Sequence, residues 1–294
     1  MTSRISMLAL TAALALASPA LADEPGYANP TLLTSAASLD QMRAAATADL
    51  VVLDVRSADK FAEGHIPGAL NLPFTALTDP DAHIEGALKA DPAIASMLGA
   101  LGVDAKTQVV LYDDQGGFRA ARLFWLMEYY GHRSVSILDG GIQAWTAEDL
   151  ALSTDASAHA PELATFAVNH TPRRFASALD ILERRNDRDT VVVDVRPTAA
   201  FDKGHIPWAQ SLPWKGNLDA DGTMKSAEDL AAHFAAHGIE GDEAVIIHCQ
   251  TGEASAHSYF ALRLIGHPQV RVYHRSWAEW GAASDLPKTI SADG

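Results

Sequence analysis

The sequence predicts an α/β architecture made twice over: in each half of the chain, a parallel sheet with helices packed on its faces. Three observations predict it. A pair of motifs recurs at a constant offset, the runs that carry it are too continuously apolar for half-exposed strands, and those runs alternate with helical patterns.

The repeat organises everything else. Val51-Val52-Leu53-Asp54-Val55-Arg56 returns as Val191-Val192-Val193-Asp194-Val195-Arg196, and Gly64-His65-Ile66-Pro67 returns as Gly204-His205-Ile206-Pro207, both pairs 140 residues apart. Farther along, Val109-Val110-Leu111-Tyr112 matches Val245-Ile246-Ile247-His248, and Trp145 matches Trp280, at offsets of 136 and 135, so the halves differ by a few loop residues. The apolar runs read as central buried strands. Residues 120–130 and 256–265 read as helices, each closed by a glycine in the C-cap position. With 294 residues there is room for two domains of ordinary size. The Ala-, Ser- and Thr-rich stretch 151–162 is the expected linker, between a first domain over 23–150 and a second over 163–294.

Residues 1–22 read as a secretory signal: Arg4 gives the positive start, 7–17 is an apolar run too short to span a bilayer, and Ala20-Leu21-Ala22 is a small-x-small cleavage site. The mature chain is then expected to begin at Asp23 and to be exported, into the periplasm if the source is a Gram-negative bacterium. A net charge of −15 argues against nucleic acid and anionic membrane surfaces as partners, since lysine and arginine contacts to phosphate dominate both. A small anion is still allowed, because a local cation acts within a Debye length of about 10 Å.

Cys249 is the single cysteine, so no intramolecular disulfide can form. It directly follows the apolar run 244–248 and precedes a helix, in the loop Cys249-Gln250-Thr251-Gly252-Glu253-Ala254-Ser255. Ligands in open parallel sheets bind beyond the carboxyl ends of strands, and a helix N-terminus favours an anion, so the position suits a reactive thiolate. Gly252 lets the backbone turn its N–H groups toward the sulfur.

Taken together, the two Asp-x-Arg strands, the two Gly-His-Ile-Pro segments and the cysteine loop resemble the tandem-domain sulfurtransferases of the rhodanese family. The resemblance implies two doubly wound domains, an active site between them with its one catalytic cysteine in the second, and neither metal nor organic cofactor. It implies a sulfane sulfur carried as a persulfide on Cys249, taken from a small anionic donor such as thiosulfate or 3-mercaptopyruvate. A thiol, a cyanide-like nucleophile or a protein then accepts it. Substrate contacts are expected from Gln250, Thr251, Gly252, Glu253, Ala254 and Ser255, and from Arg196, placed where family members bind the donor's anionic end. In the first half Asp113 stands where the thiol would be, and a carboxylate cannot accept sulfane sulfur, so that half is expected to be a scaffold.

Two departures from the family pattern matter. The loop after Cys249 holds Glu253 and Ala254 but no cation, which disfavours a dianionic donor. His274 and Arg275 stand where the first half has Asp139-Gly140, so a cation is expected to enter from that neighbouring loop. A phosphatase would need arginine six residues after the cysteine, where Ser255 stands. The rival from another class is a non-catalytic sulfide-binding or thiol redox-sensing module. Asp219, Asp221 and Gly222 read as a polar turn, and His65 and His205 as structural.

Overall fold

A computed structural model of the chain describes residues 26–45, 49–155 and 162–291. The expected signal segment, its cleavage site and half of the linker lie outside the described residues.

In the first domain the elements run β1 (Leu33–Thr34), α1 (Ala36–Ala44), β2 (Leu50–Asp54), α2 (Ala58–Glu63), β3 (Leu70–Asn71), α3 (Asp91–Ala100), β4 (Gln108–Tyr112), α4 (Ala120–Tyr129), β5 (Val135–Leu138) and α5 (Gly141–Ala147). The second contains α6 (Ala178–Glu183), β6 (Thr190–Asp194), α7 (Thr198–Lys203), β7 (Gly204–His205), β8 (Gln210–Ser211), α8 (Ala227–Ala235), β9 (Ala244–His248), α9 (Glu253–Leu264), β10 (Val270–Val272), α10 (Ser276–Trp280) and β11 (Thr289–Ile290). The first sheet has the order β1-β5-β4-β2-β3 and the second β10-β9-β6-β8, every pairing in both being parallel. An isolated parallel bridge between Phe175 and Val272 stands where the first sheet has its β1 edge. A short antiparallel pair, β7 with β11, ties the C-terminal end back to the second domain.

Local chemistry explains the boundaries. Serine side chains cap α1, α2, α6 and α8 by accepting a backbone N–H three residues on, and Ser177 with Asp180 completes a reciprocal box. Beyond the last turns of α4 and α9, Gly131 and Gly266 adopt φ of 86° and 88°, the left-handed closure expected from sequence. Helix α9 starts three residues before the expected position 256, because Gly252 at φ 96° turns the chain early enough for Glu253 to enter the helix.

The same repeat joins the two domains. Helices α4 and α9, each following the loop at the end of a central strand, pack against one another, Phe124 meeting Phe260 edge-on at 4.9 Å between centroids. One apolar core therefore runs through both domains and includes Cys249. Glu128 of α4 accepts from Arg263 at 2.8 Å and from the Tyr259 hydroxyl of α9, and these bonds pull its carboxyl below the usual range although burial alone would raise it. At the open edge of this seam lies the cysteine loop. Among the described residues no helix is long and apolar enough to cross a membrane.

Candidate active site

Strand β9 delivers Cys249 to the mouth of the seam, where its side chain is buried at 3% exposure. The Gly252 N–H donates to Sγ at 3.1 Å, and the hydroxyls of Ser255 and Ser276 lie 3.7 and 3.9 Å from it. Loop and α10 are stitched together. Ser276 Oγ accepts from the Cys249 N–H at 3.0 Å, and the N–H groups of Trp277 and Ala278 donate to the carbonyls of Cys249 and Gln250. Ser276 has φ 56°, an uncommon state for a residue with a side chain, and it is held there by burial and by these bonds.

Position 252 must be glycine. A Cβ there would lie 2.4 Å from the His274 carbonyl oxygen and 2.7 Å from Arg122 Nη1.

The first domain shows what such a loop holds. Asp113, the counterpart of Cys249, accepts four backbone N–H bonds: Oδ1 from Gln115 and Gly117 at 2.8 and 2.9 Å, Oδ2 from Arg119 and Ala120 at 2.6 and 3.1 Å. Burial raises the Asp113 carboxyl while these four bonds oppose the rise. The cradle is an anion site filled by its own side chain. Its twin in the second domain carries a thiol one bond shorter, so a second sulfur attached to Sγ reaches about as far as the carboxylate oxygens do.

The cation missing from the loop sequence comes from the other domain. Arg122 of α4, fully buried, donates from Nη1 to the Thr251 carbonyl and from Nη2 to the Gly86 carbonyl, each at 2.5 Å. Burial lowers its pKa, with the charges of Glu253 and Cys249 acting the other way. Arg122 thus pins the cysteine loop to the segment around Gly86 and places positive charge beside the thiol. The expectation of a cation from 274–275 is corrected. Arg275 is half-exposed and paired with Glu279 at 3.0 Å, while burial and the nearby Arg122 and Arg275 push His274 down to about 3, leaving it neutral.

Arg196, expected to bind the donor, is held by its own domain. Its Nε and Nη2 fork onto Asp194 at 3.0 and 2.6 Å, Nη2 also reaches the Gly204 carbonyl at 2.7 Å, and the guanidinium sits 4.7 Å from the Trp277 ring. Arg56 makes the same set of bonds to Asp54 and Gly64 in the domain that has no thiol. Both arginines clamp a strand end to the Gly-His-Ile-Pro turn, because one guanidinium bonds the strand's aspartate and the turn's glycine carbonyl together. His65 and His205 stack on Phe61 and Phe201 at 3.8 Å, as structural residues do.

Residues 35–148 and 177–283 each match the Rhodanese-like domain family. The chain belongs to the rhodanese family. It is 31% identical over 245 residues to the 3-mercaptopyruvate sulfurtransferase of Escherichia coli (strain K12), covering 80% of this chain and 86% of that one. To the thiosulfate sulfurtransferase of Azotobacter vinelandii it is 33% identical over 249 residues, covering 81% and 90%. The crystal structure of SseA from Escherichia coli, described as a 3-mercaptopyruvate sulfotransferase with the rhodanese fold, superposes with a TM-score of 0.74 at 26% identity, covering 84% of this chain and 98% of that one. The relatives are sulfurtransferases, and so is this rhodanese: the sulfurtransferase reading, not the sulfide-binding or sensing module, is the one they carry.

Of the expected loop residues, Cys249, Gly252 and Ser255 converge on the sulfur. Thr251 enters through its carbonyl, Gln250 is exposed and contributes its carbonyl to α10, Ala254 is buried apolar packing, and Glu253 is half-buried in the first turn of α9. Arg122 and Ser276 were not expected. The signal for Arg122 was a lone cation inside the apolar run Ala120-Ala121-Arg122-Leu123-Phe124-Trp125, whose repeat mate is Ser258. Ser276 left no comparable signal.

Proposed function

We propose that Cys249 is the sulfur-carrying nucleophile and that the donor is a monoanion of the 3-mercaptopyruvate kind in preference to thiosulfate. The observation that carries the first part is the 3.1 Å N–H bond from Gly252 to Sγ, in a loop whose twin cradles a carboxylate with four N–H groups. The thiolate attacks the donor's sulfur, and an S–S bond forms as the C–S bond breaks. The electron pair leaves on the methylene carbon as an enolate, which takes the donor's thiol proton to become pyruvate. An acceptor thiol or cyanide-like nucleophile then attacks the outer sulfur and returns the Cys249 thiolate. With thiosulfate the leaving group would be sulfite.

Donor choice follows from charge. Arg122 and Arg196 spend their Nη2 groups on protein acceptors, and Glu253 adds a negative charge at the head of α9, so a dianion gains less here than a monoanion. The test is the intact mass after incubation with each donor. Gain of one sulfur atom, reversed by a thiol reductant and faster with 3-mercaptopyruvate, is the expected result. An unchanged mass with every donor, in folded protein with a reduced thiol, overturns the assignment of Cys249.

Glu253→Lys should lower the Michaelis constant for thiosulfate several-fold at low salt, since the local charge changes by two beside the donor, and the gain should shrink as ionic strength rises. Steady-state kinetics at two salt concentrations checks it. The signal motif at 1–22 supports our further proposal that the mature chain works outside the cytoplasm, and N-terminal sequencing of the cellular protein tests it.

A further inference from the structure

A cavity of about 480 Å³ opens at the domain seam on the far side of the 273–275 segment, and Cys249 does not line it. Four aromatic rings close one side as a circuit: Trp125 to Tyr129 at 5.7 Å between centroids, Tyr129 to Phe175 at 5.5 Å, Phe175 to His274 at 5.7 Å, and His274 back to Trp125 at 5.6 Å. Trp125 is fully buried, while Tyr129 and Phe175 are half-buried at the cavity, Tyr129 also carrying the His170 ring at 4.7 Å. A site of this size, lying between domains with aromatic rings on one side and polar groups around them, has the make-up of a small-molecule site.

The polar groups are unequally committed. Both carboxylates on the rim are already satisfied: Asp91 accepts from the Tyr130 hydroxyl at 2.7 Å and pairs with His170 at 2.9 Å, and Glu279 accepts from the Tyr273 hydroxyl at 2.6 Å and from Arg275 at 3.0 Å. The cations are not. Lys89 has no ion-pair partner among the described residues, and Arg275 has spent one nitrogen. His274, 8% exposed, has a buried Nδ1 with no hydrogen-bond partner. Burial holds this imidazole neutral, and with Nδ1 closed off its Nε2 is the nitrogen left to meet a ligand, as donor or acceptor by tautomer.

We infer that this cavity is a second ligand site, for a planar aromatic carboxylate whose ring lies against Tyr129 and Phe175, whose carboxylate meets Lys89 and Arg275, and whose polar edge bonds His274. The site stands on its own geometry and does not depend on the sulfur chemistry. It does adjoin it: the His274 carbonyl packs against Gly252 of the cysteine loop.

Calorimetry with three probes of one shape and different charge tests the inference: indole-3-acetate, neutral indole and cationic tryptamine. One equivalent of indole-3-acetate should bind with a dissociation constant below about 1 mM, with indole and tryptamine at least about tenfold weaker. Lys89→Ala, a rim change that spares the fold, should weaken indole-3-acetate at least about fivefold and leave indole unchanged. Cys249→Ser should bind like the parent chain. The inference is overturned if no probe saturates, if tryptamine binds as well as indole-3-acetate, if Lys89→Ala has no effect, or if Cys249→Ser abolishes binding, which would place the ligand at the thiol instead.

Discussion

Arg122→Leu is expected to lower kcat/KM for sulfur loading about a hundredfold while the chain stays folded. Two hydrogen bonds from a charged donor, at about 1.5 kcal/mol each, hold the Thr251 and Gly86 carbonyls. About 3 kcal/mol in the transition state is a factor of about a hundred. The loss is specific because Arg122 is also the cation beside the thiol, so iodoacetamide should alkylate Cys249 more slowly at neutral pH in the variant. Arg122→Lys separates the two roles. It keeps the charge but cannot span two carbonyls with one ammonium, and should recover alkylation more fully than turnover. If Arg122→Leu is folded and retains turnover within about threefold, the first domain contributes shape and no charge to the site.

That role follows from the repeat, and the repeat also decides how much could be read beforehand. The strands and their parallel sense were legible because Val51, Val109, Val191 and Val245 begin runs buried on both faces, which periodicity reports directly. Cys249 was legible because a lone thiol between a buried strand and a helix has few other uses. What stayed hidden depends on contact between the halves. Arg122 lies 127 positions before Cys249 and meets its loop only because α4 and α9 pack together. The Arg196 fork was legible only as one of two readings, since a buried aspartate two residues away and a bound donor ask for the same side chain. The structure shows the same clamp in both halves, the one with no thiol included.

Arg196→Ala and Arg56→Ala are therefore expected to destabilise their domains alike, by about 3 to 5 kcal/mol, the usual effect of stranding one member of a buried ion pair. Asp194 and Asp54 have no exposure, and each would be left buried without the fork's hydrogen bonds. The Gly204 and Gly64 carbonyls would lose a partner as well, loosening the turn that follows α7 or α2. Removing the stranded charge should restore stability: Asp194→Leu combined with Arg196→Met is expected to be less harmful than Arg196→Ala alone, because packed apolar groups can replace a buried pair at little cost. Urea unfolding of the four chains measures this, and kinetics on the folded fraction completes it. Should Arg196→Ala prove as stable as the parent yet raise the Michaelis constant for the donor, with Arg56→Ala inert in both respects, the fork on Asp194 must open to take the donor's anionic end, and Arg196 regains the binding role its sequence position suggested.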